Sequence, residues 1–154
     1  MTSQVNPKTI ELYGHGVQHE ATALGTITPG MLVERAAGGV QAHSTAGEVA
    51  NTSFANEYAL TGGTIDRDYL EDDQVIFTTY NPGSGIYALV APEAAAIAEG
   101  ELLASAGDGT LALAGDDEVA VAQALEAVDN SGDAENTARI RVEVINAART
   151  AAAG

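Results

Sequence analysis

The sequence predicts a mainly β fold: a compact barrel or two small packed sheets, with at most one or two short helices. Three observations carry this. Between residues 85 and 145, strand-sized runs of Val, Leu, Ile and Ala are separated by Gly/Asp turns. Residues 138–145 alternate cleanly, with Ile140, Val142 and Val144 on one face and Arg139, Arg141 and Glu143 on the other. Residues 74–80 (QVIFTTY) are β-branched and aromatic, the composition that suits a pleated, half-buried surface.

In chain order, residues 1–8 are polar and end near Pro7, and read as a loose arm. Residues 9–13 (TIELY) form a short strand, broken at Gly14 and Gly16, so the arm spans 1–13. Strands are expected at 18–24, 31–35 and 40–43, the last two joined by a tight turn at Gly38-Gly39. Residues 44–53 read as a loop, 54–60 as a small apolar segment, and 65–73 (IDRDYLEDD) as an acidic loop or short helical turn. The strand at 74–80 reaches the turn Asn81-Pro82-Gly83-Ser84-Gly85 and pairs with 86–90. Residues 92–99 (PEAAAIAE) start on Pro and stop before Gly100, which predicts about two helical turns. Strands at 102–105 and 110–113 flank a hairpin turn at Asp108-Gly109. Asp116-Asp117 turns the chain into a long apolar run at 119–128, a central strand. After a polar loop at 130–137 comes the alternating strand, and 146–154 is an alanine-rich, flexible tail. The main domain is therefore residues 14–145.

Composition narrows the function. The chain has 154 residues, 22 acidic against 6 basic, for a net charge of −16. Such a surface repels phosphate backbones, so no nucleic-acid partner is expected. Dense carboxylates, a single Lys and abundant Ala fit a high-salt habitat, where screening makes the charge tolerable. Aromatics are 5% with no Trp, so the core is thin and association with further copies is a natural way to bury more surface. There is no Cys, hence no disulfide and no thiolate metal site. The start MTSQVNPKTIELYG lacks an apolar core, so no signal peptide is expected, and no run approaches the roughly 20 apolar residues of a membrane span.

Candidate chemistry is sparse. Asp66, Asp68, Asp72 and Asp73 crowd one segment and supply the oxygens a hard cation wants. They lack the glycine and twelve-residue frame of a calcium loop, and a solvated acidic loop is the favoured reading. His15, His19 and His43 are read as surface or turn histidines, because Gly14 and Gly16 oppose the helix that an i, i+4 metal pair needs. No G-x-S-x-G elbow is present, and neither 81–85 nor 107–109 is a phosphate or metal loop. No cofactor, no catalytic residue and no enzymatic activity are expected.

The order of several segments carries a resemblance. TPGMLVE at 28–34 and TGGTIDRDYLEDDQV at 61–75 are followed by PEAAAIAEGELLASAGDGTLAL at 92–113, then VAVAQALEAVDN and ARIRVEVI. From Lys8 to Ile145 the chain resembles the head decoration, or cement, proteins of tailed viruses. The acidity is closer to a virus of halophilic archaea than to an ordinary bacteriophage. The resemblance implies a small β-barrel-like or β-tulip domain with an N-terminal arm. It implies a virion structural protein on the outer surface of an icosahedral capsid, assembled in the host cytoplasm. There it would bind the major capsid protein as a homotrimer and cement neighbouring capsomers against DNA pressure. In that reading Thr64, Asp66 and Tyr69 pin their loop by local hydrogen bonds.

Two contact surfaces follow. The arm, through Lys8, Thr9, Ile10, Glu11, Leu12 and Tyr13, is expected to touch the capsid by adding its strand to a neighbour's sheet edge. Residues 119–125 are apolar on both alternating faces, so Ala120, Ala122 and Ala124 are expected at a subunit seam. A surface adhesion or carbohydrate-binding β-domain is the alternative. It ranks lower because few aromatics are available for stacking, and a cupin-like hydrolase ranks lower still because the histidines lie in turns.

Overall fold

A computed structural model describes residues 6–152. The chain is mainly β, and its centre is a closed ring of five strands. These are β7 (Gly85–Val90), β8 (Leu102–Ser105), β9 (Leu111–Leu113), β10 (Val119–Ala124) and β11 (Ala138–Arg149). Antiparallel pairings run β7-β11-β10-β8-β9. A parallel contact of Val90 with Leu111 closes the circle, and the Ala91 N–H adds a bond of 3.0 Å to the Leu111 carbonyl. Closure removes most of the exposed edge that an open sheet of this size would present.

β1 (Glu11–Tyr13) docks on β7, with Glu11 opposite Ile86 and Tyr13 opposite Gly85. The arm therefore adds its strand to this chain's own sheet. Ile10 is fully buried in the main core and Leu12 is half-buried against it. Of the six expected capsid contacts, Lys8, Thr9, Glu11 and Tyr13 face outward, while Ile10 is spent inside. Residues 1–5 of the expected arm lie outside the described residues.

A second sheet runs β2 (Gly16–Thr22), β6 (Gln74–Tyr80) and β5 (Ser53–Ala55), and a hairpin of β3 (Val33–Ala36) and β4 (Gly39–Ala42) packs beside it. Two cores result. The larger fills the ring with Ile86, Val90, Leu103, Leu111, Val121 and Ile140, and takes Phe54 and Tyr80 from the second sheet. The smaller, built on Ile27, Val33, Val40, Tyr69, Val75 and Phe77, lies between that sheet and the hairpin.

Several expectations change. β6 has the predicted limits, but its partner is not β7. The turn between them hydrogen-bonds to β11 instead: the Gly83 N–H donates to the Val144 carbonyl and the Val144 N–H to the Ser84 carbonyl, both at 2.8 Å. That docking sends β7 into the ring and leaves β6 in the second sheet. No helix forms over 92–99. Glu93 adopts φ 57°, Ile97 is buried, and Ile97 and Val128 exchange backbone bonds of 2.8 and 2.9 Å. A two-turn helix is too short to stand alone against that pairing. The one helical element among the described residues is a 3-10 turn, Ala59–Thr61. The tight turn falls at Ala37-Gly38, one residue earlier than expected, because Ala36 pairs with Gly39. The tail is not loose up to Arg149: β11 runs that far, and the Arg149 guanidinium donates to the Asp117 carbonyl at 2.6 Å. Residues 153–154 of the expected tail lie outside the described residues.

The alanine seam is also corrected. β10 ends at Ala124, and its pairing slips between Ala120 and Ala122. That bulge breaks the period-two alternation, so Val121 and Ala122 both enter the core. Ala120, Ala122 and Ala124 are 2%, 0% and 1% exposed within the single chain, leaving no face for a neighbour. Ala122→Asp is expected to unfold the protein rather than release a folded monomer, with a loss of about 3 kcal/mol or more. Denaturant melts with a sedimentation control check this, and a folded monomer would restore the seam.

Candidate functional site

The acidic segment sits on a loop held by its own backbone. Tyr69 exchanges backbone bonds of 2.8 and 2.9 Å with Ile27, and its hydroxyl donates to the Asn56 carbonyl at 2.7 Å. The Asp66 N–H donates to Thr64 Oγ1 at 3.3 Å, and Asp73 Oδ2 accepts the Leu70 N–H at 2.8 Å. Asp66, Asp68, Asp72 and Asp73 are all exposed. Among the described residues, no group of three or more such side chains is arranged to hold a metal ion.

Asp66 and Asp68 share a field with Arg139, whose half-burial pulls the guanidinium below its ordinary value while Asp66 pulls it back up. Arg139 leaves β11 to donate to the Pro29 carbonyl at 2.8 Å and the Ile65 carbonyl at 2.7 Å, and lies 5.9 Å from the centre of the Tyr87 ring. It ties the ring to the loops at Pro29 and Ile65. The alternation that marked it as an outward residue of a strand was right, but its reach was not visible in sequence.

The histidines divide. His15 is exposed, and His19 lies against Phe77 with ring centres 5.2 Å apart. His43 is 2% exposed, which corrects its reading as a surface or turn residue. Its Nε2 lies 2.9 Å from the Val49 carbonyl, an acceptor only, so that nitrogen carries the proton. Nδ1 is then free to accept from the Ser105 hydroxyl at 2.6 Å. Glu34 Oε1 is 3.8 Å from Nε2 and accepts the Ser44 N–H at 2.8 Å. Serine, histidine and carboxylate thus meet, but the wiring is that of a joint. The second imidazole nitrogen serves a backbone carbonyl, and Ser105 is 4% exposed and accepts the Gly107 N–H at 3.1 Å. The group fastens the 43–50 loop to the end of β8. The signal was present in LLAS: by alternation Ser105 shares the buried face of Leu103.

Asn56 forms a similar joint. Its amide nitrogen donates to the Tyr80 hydroxyl at 2.6 Å, and its oxygen accepts from Thr78 at 2.7 Å. Burial, only partly offset by that Asn56 bond, pushes the Tyr80 phenol up to about 12, and burial does the same for Tyr69.

What faces solvent is different in kind. Among the described residues, the exposed large apolar side chains are Tyr13, Val17, Val49, Leu60, Leu70 and Leu102, and Tyr13 is the one aromatic in that set. They sit on strand ends and loop tips. A sugar-stacking platform would need several such rings together. Among the described residues, no helix is long and apolar enough to cross a membrane. No protein-family model and no curated protein matches the chain.

Tyr69 and Tyr80 are expected to resist ionisation until about pH 12, against about 10 for an unfolded chain. Their folded values are raised, so their contribution to stability is fully present below about pH 10 and is lost as pH climbs towards 12. Phenolate absorbance followed alongside far-UV circular dichroism tests this: two late-ionising phenols should appear with the loss of β signal. Ionisation of every tyrosine near pH 10 in a folded protein would contradict the burial.

Proposed function

We propose that this chain is a virion structural protein. It attaches to the outer surface of an icosahedral capsid, binds the major capsid protein, and cements neighbouring capsomers against internal DNA pressure. One observation supports this most. His43, Ser105, Asn56 and Arg139 are consumed in joints between strands and loops, while the surface offers a strand edge and isolated apolar tips. That surface suits adhesion to another protein rather than turnover of a small molecule. The order of the segments from Lys8 to Ile145 supports the same reading. Several weak contacts per copy, repeated over a lattice and joined through a homotrimer, give avidity without a large interface per chain. A protein that binds only the expanded lattice stabilises that state by mass action.

The test is co-sedimentation with empty shells assembled from a major capsid protein of a tailed virus. Binding to expanded shells, with a rise in their disruption temperature, is expected. Failure to sediment with shells, together with retention on a glycan surface, would replace this reading with the adhesion alternative.

The same proposal places the protein in concentrated salt. With a charge of −16 on a small core, self-repulsion opposes the compact state until counter-ions screen it. The thermal midpoint is expected to rise from dilute buffer to molar KCl. A flat or falling midpoint would remove the halophilic element.

A further inference from the structure

β2 is an unfinished edge. It pairs with β6 over all seven residues, and among the described residues no strand lies on its other side before Thr22, where Gly39 packs against the Thr22 carbonyl. The phase of the ladder fixes which groups point outward. The Asn81 N–H donates to the His15 carbonyl and the Ala23 N–H to the Asp73 carbonyl, both at 2.8 Å. Both pairs fall in the β2–β6 register, so the hydrogen-bonded pairs step by two through Val17, His19 and Ala21. The N–H and C=O groups of Gly16, Gln18 and Glu20 therefore point away from β6. Seven residues is long for an unprotected edge, and neither proline nor lysine guards it.

The charge beside this edge names its occupant. Gln18 and Glu20 stand opposite Thr78 and Ile76, on the face where Glu11, Glu57 and the tip of Leu60 border a groove of about 320 Å³. Glu11, Glu20 and Glu57 make no ion pair among the described residues. Four of the six cations are engaged elsewhere: Arg139 on carbonyls, Arg141 on Glu126, Arg149 on Glu48 and Asp117, and Arg35 over the Phe77 ring 5.2 Å away. A second copy of β2 would bring Glu20 and its neighbours against the same sign of charge.

We propose that the outer edge of β2 accepts an extended, basic segment of a protein partner by antiparallel strand addition, its lysines or arginines lying over the Glu11, Glu20 and Glu57 face. The alternate side chains of that segment fall beside Val17, which is 61% exposed. This goes beyond the capsid reading, because it holds for any partner carrying such a segment, and its test uses no capsid.

The probe is a fluorescent seven-residue peptide alternating lysine and valine, added to the full chain. Binding is expected, with slowed hydrogen exchange at the Gln18 and Glu20 amides and not at Val17 or His19, which are already bonded. Gln18→Pro removes one outward donor at a position where an edge strand tolerates proline, and should weaken binding roughly tenfold. Should that variant fail to fold, the same peptide N-methylated on its pairing edge provides the test on the unaltered protein, with the same loss expected. Equal binding of the methylated peptide, or no protection at Gln18 and Glu20, would reduce the effect to unspecific attraction and overturn strand addition. Equal binding of a glutamate–valine peptide would overturn the assignment of a basic partner. A dimer that Gln18→Pro converts to monomer would assign the edge to a second copy and overturn it as well.

Discussion

The fold depends on β7, a six-residue strand with every residue buried. Its one edge is paired with β11 along its whole length. Its other edge is divided: β1 takes the start at Gly85 and Ile86, and β9 takes the end at Val90. Three neighbours on one short strand mean that ring closure, docking of the arm and burial of Ile86, Ala88 and Val90 are a single event. Gly85 matters here for space, since a Cβ at that position would stand 2.5 Å from the Tyr13 ring. GIYALV is apolar throughout because both of its faces are covered.

Around that strand, polar side chains act as fasteners. Arg139 reaches 110 residues back along the chain to Pro29, and Asn130 bonds the Ala91 and Asn136 carbonyls at 2.9 Å each. His43 and Asn56 do the same for their loops. Among the described residues, no buried side-chain nitrogen or oxygen lacks a partner. With few large apolar side chains, the chain gains definition from directional bonds that a thin core alone does not provide.

Much of the architecture was legible because strands announce themselves locally. QVIFTTY and LLAS have the limits their composition implies, and the alternation of 138–145 correctly assigns Ile140, Val142 and Val144 to the interior. Pairing was less legible. Adjacent strands across the 81–84 turn looked like a hairpin, and only the long-range bonds from Val144 redirect them. Alanine misled twice. It favours helix at 94–96, where one bridge between Ile97 and Val128 overrides it, and at 120–124 a bulge undid the face assignment that strict alternation gives. Of the residues singled out for chemistry, the Asp66–Asp73 loop is where sequence placed it, on the surface. His43 was missed because neighbours in sequence say nothing about Ser105, 62 residues away.

The position of β11 sets a schedule for making the protein. It lies between β7 and β10, yet it follows both of them, as well as β8 and β9, in chain order. While the chain emerges from a ribosome, β7 and β10 wait with bare inner edges until residues 138–149 arrive to join them. Until then the apolar runs GIYALV and VAVAQA are exposed together, each a template for the wrong neighbour. A dense negative charge is useful in that interval, before any native contact exists, because it keeps nascent copies apart while their central strand is still being synthesised.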